Sequence, residues 1–180
     1  MLNSKVFIIV VISFSIFFML DVATSELIKK KSEVENYNKP LPNKAKGKKF
    51  PSFPLLVKND SAKVVPVDFA RGRNTVVLYF DPYCPTCKKE IQEITANIQK
   101  LKSIYFIFIS PYPSYQISKT INEFSLLRYE NILVGRDNDH LYGDYYGVSS
   151  VPLLVVYDKN MIMKDSYLGL VKLEQLLSLY

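Results

Sequence analysis

Cys84 and Cys87 are the only cysteines of this chain, and they stand three positions apart between a strand-like run and a helix-like stripe. Before them, residues 74–80 read NTVVLYF, a continuous β-branched and aromatic run of the kind buried on both faces of a sheet. The run stops at Asp81-Pro82. After them, Ile91, Ile94, Ile98 and Leu101 step by three, four and three, which is one face of an amphipathic helix. A CxxC at a strand-to-helix junction has a definite chemical meaning. A thiol attacks a disulfide only as its thiolate, and a free cysteine with a pKa of about 8.5 is mostly protonated at neutral pH. Unpaired N–H groups at a helix start stabilise the thiolate, and Pro85 suits the first helical position because its missing N–H is not needed there. Cys84 is therefore the predicted nucleophile. Cys87, one turn further on, is the predicted resolving thiol.

Two cysteines and one histidine cannot supply a structural zinc site of four ligands within one chain, nor a disulfide framework. No metal site is expected. The formal net charge of +6 is likewise not a nucleic-acid signature, because residues 26–49 hold eight Lys against three Glu and so carry +5 of it. No nucleic-acid partner is expected.

Residues 1–25 read as an export signal: Lys5, then the apolar run VFIIVVISFSIFFML over 6–20, then small residues at Ala23 and Ser25 that permit cleavage after Ser25. The run is shorter than the roughly 20 apolar residues of a membrane span, though an uncleaved anchor is the competing reading. Either way the remainder is expected outside the cytoplasm, periplasmic or in the cell envelope, where dithiols meet oxidised clients. Residues 26–49 have the composition of a flexible basic linker, with attraction to anionic headgroups as an alternative use. The folded domain is placed at 50–180.

Within it, FPLLV (53–57) and AKVVPVDF (62–69) predict an N-terminal strand pair, and SIYFIFIS (103–110) a second buried strand. Ile117, Ile121, Phe124 and Leu127 mark a further helix, and NILVG (131–135) a short strand before the polar, turn-rich RDNDHLYGDYYG. LLVVYD (153–158) and MIMKDSYLG (161–169) form a hairpin, and a Leu-rich helix closes the chain. This order predicts a three-layer α/β fold, a central mixed sheet between helices.

The pattern VVLYFDPYCPTCKKEI, followed by SVP before LLVVYD and by Gly169 before the closing helix, resembles the thioredoxin superfamily. The extra N-terminal strands resemble its redoxin branch, the exported thiol-disulfide oxidoreductases of the TlpA and ResA type. The resemblance implies a thioredoxin-like fold and disulfide exchange, probed against cysteine-containing exported proteins, with a thiol electron donor or acceptor as second partner. It implies no cofactor beyond a redox-active Cys84–Cys87 disulfide. By it Pro152 is a cis-proline facing the dithiol, and Val151, Tyr83, Pro85 and Thr86 meet the substrate. Reduction is the direction it suggests.

The sequence departs from that family at two points. Leu78 stands six residues before Cys84, where thioredoxins often carry an acid that shuttles a proton, which leaves Asp81, Glu90 and Glu93 as substitutes of little weight. Tyr83 replaces the usual tryptophan. Two rival functions are kept: a peroxiredoxin-type peroxidase, weakened by Asp81 where an activating Thr belongs, and a thiol-based metal-binding or chaperone module, for which only distant His140 could add a ligand. His140 is expected at the surface, and Tyr112, Tyr115, Tyr142, Tyr145 and Tyr146 are expected to pack with a wet hydroxyl rather than line a groove.

Overall fold

The computed structural model describes residues 18–22, 24–25, 44–57, 60–70 and 72–178. The chain divides into two compact units, Met1–Asn36 and Tyr37–Tyr180. In the first, the described residues are helical, with the Thr24 and Ser25 hydroxyls bonded to the carbonyls of Asp21 and Val22. Among the described residues no helix is long and apolar enough to cross a membrane. Most of the apolar run expected to direct export, and the linker up to residue 43, lie outside the described residues.

The second unit holds a seven-stranded sheet in the order β2-β1-β5-β4-β3-β6-β7. Its strands are β1 (Leu55–Val57), β2 (Ala62–Val64), β3 (Asn74–Tyr79), β4 (Ile104–Ser110), β5 (Ile132–Arg136), β6 (Leu153–Tyr157) and β7 (Met163–Leu168). The helices are α1 (Val67–Ala70), α2 (Pro85–Ala96), α3 (Ser114–Glu123), α4 (Leu141–Tyr146) and α5 (Leu173–Ser178). Strands β3, β4 and β5 run parallel, while β6 and β7 and the β1–β2 pair are antiparallel at the two sides. The sheet is mixed and lies between helices, the thioredoxin-like arrangement that the pattern implied.

Alternation within the central strands builds a core on each face, because successive side chains of a strand point to opposite sides. Val76, Leu78 and Phe80 of the β3 run face Ile91 and Ile94 of α2 and Ile117 of α3. Val77 and Tyr79 face the other way, toward Phe50, Tyr142 and Tyr146. Both cores are needed to bury β3 and β4 completely.

Five expectations shift in the structure. Residues 44–49, read as linker, lie against the domain: Ala45 is buried, Lys49 bridges to Ile162, and Lys46 pairs with Asp165 at 2.8 Å. The second N-terminal strand stops at Val64, since Pro66 cannot extend a ladder, and VDFA turns into α1. Helix α3 ends at Glu123, with Ser125 left-handed at φ 50°, so Leu127 falls in a 3-10 turn and is 80% exposed instead of continuing the apolar stripe. The turn-rich RDNDHLYGDYYG contains α4, whose Tyr142 and Tyr146 are buried. The last strand begins at Met163, because Met161 has φ 59° and cannot join the ladder.

Candidate active site

The β3 strand delivers the chain to the edge of the sheet, and the Asp-Pro-Tyr-Cys segment turns it into α2. Cys84 is the cap residue of that helix: its backbone is extended at φ −73° and ψ 117°, Pro85 occupies the first turn, and its sulfur accepts the Cys87 N–H at 3.4 Å. Cys84 thus stands where the helix start has free donors. It is partly exposed, whereas Cys87 is fully buried, and both are free thiols. Burial pushes the Cys87 thiol well up, and the backbone amide of Asp81 pulls it the other way.

Across from the dithiol, the Val151–Pro152 peptide is cis, as the resemblance implies. The Cys84 thiol reaches the Val151 carbonyl oxygen at 3.9 Å. Val151 and Pro152 therefore stand beside the sulfur. Tyr83 and Pro85 are exposed and Thr86 half-buried around the same point. A cavity of about 310 Å³ opens beside Val151, and its walls include Tyr79, Asp81, Tyr112, His140 and Asp144.

Among the candidate acids the structure separates three that sequence reasoning had left alike. Glu93 is exposed on α2. Glu90 is fully buried one turn after Cys87; its Oε2 accepts the Val171 N–H at 2.9 Å and Oε1 has no hydrogen-bond partner among the described residues. Desolvation pushes its pKa up to about 8, with the Val171 amide opposing. A signal for it was present in the sequence, since position 90 lies three residues after Cys87 and beside Ile91 on the buried stripe. The third acid, Asp81, is part of the turn itself and is hydrogen-bonded to Tyr112 at 2.8 Å.

His140 is exposed, with a left-handed backbone ahead of α4. Among the described residues no group of three His, Cys, Asp or Glu is placed to hold a metal. The tyrosines divide: Tyr142 and Tyr146 pack inside, whereas Tyr115, expected to pack, is exposed, and Tyr112, also expected to pack, lines the cavity and meets Tyr83 at the turn before Cys84.

The AhpC/TSA family matches residues 46–166. The thiol:disulfide interchange protein DsbE of Pseudomonas aeruginosa is 30% identical over 144 residues, covering 78% of each chain. Among solved structures, DsbF of MTB has a TM-score of 0.60 at 16% identity and covers 71% of this chain and 91% of its own. A secreted disulfide oxidoreductase of Mycobacterium tuberculosis has a TM-score of 0.59 at 15% identity, covering 71% and 92%. At that identity these two speak for the fold. With a family match that spans most of the domain and a disulfide-interchange relative over most of its length, the chain belongs to the AhpC/TSA family, in the redoxin branch of the thioredoxin superfamily, and is a thioredoxin-like thiol-disulfide oxidoreductase.

Proposed function

We propose that the chain exchanges disulfides with cysteine-containing exported proteins through the Cys84–Cys87 couple, acting as their reductant. Cys84, as thiolate, attacks one sulfur of a client disulfide; that bond breaks, and the departing sulfur takes up a proton. Cys87 then attacks the Cys84 sulfur, releasing the client's second thiol and leaving a Cys84–Cys87 disulfide. The client gains two electrons, and a thiol donor later returns two to the protein. No dissociable cofactor takes part. Val151 and Pro152 receive the client chain in extended form, with Tyr83, Pro85 and Thr86 around the attacking sulfur. Cys87 gives up its proton to solvent as it attacks; buried Glu90, one turn away with its pKa pushed up to about 8, already holds a proton at neutral pH.

The observation that carries this reading is the position of Cys84: a partly exposed cap sulfur, 3.4 Å from a helical N–H and 3.9 Å from the Val151 carbonyl, with its partner buried one turn deeper. The peroxidase reading is weaker, since a carboxylate engaged with Tyr112 stands where an activating hydroxyl belongs. The basic N-terminal region and its apolar run fit a protein exported to the periplasm or envelope, by a signal cleaved after Ser25 or, as the competing reading, held by an uncleaved N-terminal anchor.

The reduction potential of the couple tests the proposal. Full-length protein equilibrated against defined thiol buffers, with free thiols counted by alkylation, is expected to show a reversible two-electron couple toward the thioredoxin end, about −270 mV. A value toward about −120 mV would make it an oxidant. The absence of a reversible couple would remove the dithiol from the function altogether.

A further inference from the structure

All three oxygens of Asp81 are engaged around the dithiol. Its carbonyl accepts the Cys84 N–H at 3.1 Å, Oδ1 accepts the Tyr83 N–H at 2.7 Å, and Oδ2 accepts the Tyr112 hydroxyl at 2.8 Å. The first two close the Asp-Pro-Tyr-Cys turn, in which an aspartate side chain stands in for a backbone acceptor. The third bolts that turn to the connection between β4 and α3. Tyr112 and Tyr83 also meet there ring to edge, with centroids 6.0 Å apart. Tyr112 holds its proton, because the bond to Asp81, followed by burial and the neighbouring charge, raises its pKa above the usual phenol value.

We propose that Asp81, held by Tyr112, is a positioning residue of the redox centre: it fixes Cys84 at the helix cap, and its carboxylate opposes the thiolate at Cys87, slowing resolution of the client mixed disulfide. The proposal rests on the assignment of Cys84 as attacking and Cys87 as resolving thiol. Two opposed effects of one residue meet at Cys87, since the Asp81 amide favours a charged sulfur there and the Asp81 carboxylate disfavours it. The other titratable groups around the turn are Cys84, Tyr83, and Glu90 deeper on α2, then Tyr112 from the β4–α3 connection, and Tyr79, His140 and Asp144 across the cavity. Lys88 is drawn away by Glu123 at 2.7 Å. Burial is the main cause that holds the Cys87 thiol protonated, and the Asp81 carboxylate adds to it, so resolution slows and a captured client stays bound longer.

The two steps separate in a reaction with an aromatic disulfide such as dithiobis(nitrobenzoate). Cys84 attacks and displaces the first thionitrobenzoate; Cys87 then attacks the Cys84 sulfur, loses its proton to solvent and displaces the second, so the reagent takes two electrons from the dithiol. Both releases are followed by absorbance in full-length protein across pH. In Asp81→Asn, which keeps one acceptor for the Tyr83 N–H and turns an amide donor toward the Tyr112 hydroxyl oxygen without the charge, the ratio of second to first rate is expected to rise about tenfold, and the rise of the second phase with pH to move about one unit lower. Tyr112→Phe keeps the carboxylate and is expected to slow both phases without that shift. Asp81→Ser, which retains a small acceptor for the turn without the charge, repeats the test if the asparagine variant does not fold. An unchanged or lower ratio with an unmoved pH profile in the folded Asp81 variant would overturn the proposal. A wild-type protein that never releases the second thionitrobenzoate would instead overturn the roles of the two cysteines.

Discussion

The carboxyl group of Glu90 accepts the backbone N–H of Val171 at 2.9 Å, tying α2 to the segment that leads into α5. These two residues are 81 positions apart, and the bond is buried. One oxygen of the acid is thereby satisfied and the other is not.

A pH dependence of stability follows from this acid. Desolvation raises its pKa from an ordinary carboxyl value of 4.5 to about 8 in the fold. Between those values the folded state holds a proton that the unfolded chain has released, so stability is fully present below about pH 4.5, falls as pH rises, and levels off above about 8. Urea unfolding at pH 5 and pH 8.5 is expected to show that fall, of the order of 3 kcal/mol or more. Glu90→Gln should flatten it and make the variant the more stable protein at pH 8.5. Equal slopes in the two proteins would contradict the burial argument.

The cysteines should behave unequally. Cys84→Ser is expected to abolish reduction of a model disulfide client, whereas Cys87→Ser is expected to accumulate a covalent client adduct, seen as a mass increase on nonreducing analysis. Identical behaviour of the two would reverse or erase the assigned roles.

Tyr79→Phe removes a donor from Asp137, which is 1% exposed and whose side chain, among the described residues, accepts the Tyr79 hydroxyl at 3.1 Å and the Gly143 N–H at 3.0 Å. Leaving a buried carboxylate one bond short is expected to lower unfolding free energy by about 1–3 kcal/mol. A denaturant midpoint identical to wild type would show that water replaces the phenol.

Gly135 lies under β1, where an added Cβ would meet Leu55 Cβ at 2.8 Å and Cδ1 at 2.9 Å. Gly135→Ala is expected to cost about 1–3 kcal/mol through overpacking. Combining it with Leu55→Ala should cost less than the sum of the two, a coupling read from a double-mutant cycle.

Phe50 tests where the domain starts. Its ring is 5% exposed and lies with centroids 5.0 Å from Tyr157 and 5.9 Å from Tyr142. Phe50→Ala is expected to lose about 3–5 kcal/mol, a core-sized effect. A loss under about 0.5 kcal/mol, the size of a surface change, would return residues 44–50 to the linker.

The sequence by itself determined the elements whose signals are local. The β-branched run 74–80, the CPTC after it and the stripe Ile91, Ile94 place a dithiol at a strand-to-helix junction, because strand and helix periodicities and the preference of proline for a helix start act over a few residues. Tertiary structure decided what depends on partners far along the chain. Glu90 reads as one helical acid among several until Val171 closes over it; Asp81 reads as a turn residue until Tyr112, 31 positions later, bonds to it. Helix α4 was hidden for a related reason: its short polar sequence has little helical signal of its own, and what holds it is Tyr142 and Tyr146 packed against Phe50 and Tyr157, together with the Gly143 amide on buried Asp137. Residues 44–49 likewise carry the composition of solvated linker and become structure only because the edge beside β7 offers them backbone partners. Periodicity reports which face of an element is buried. It does not report which group from another element will be waiting there, as Val171 waits for Glu90 and Tyr112 for Asp81.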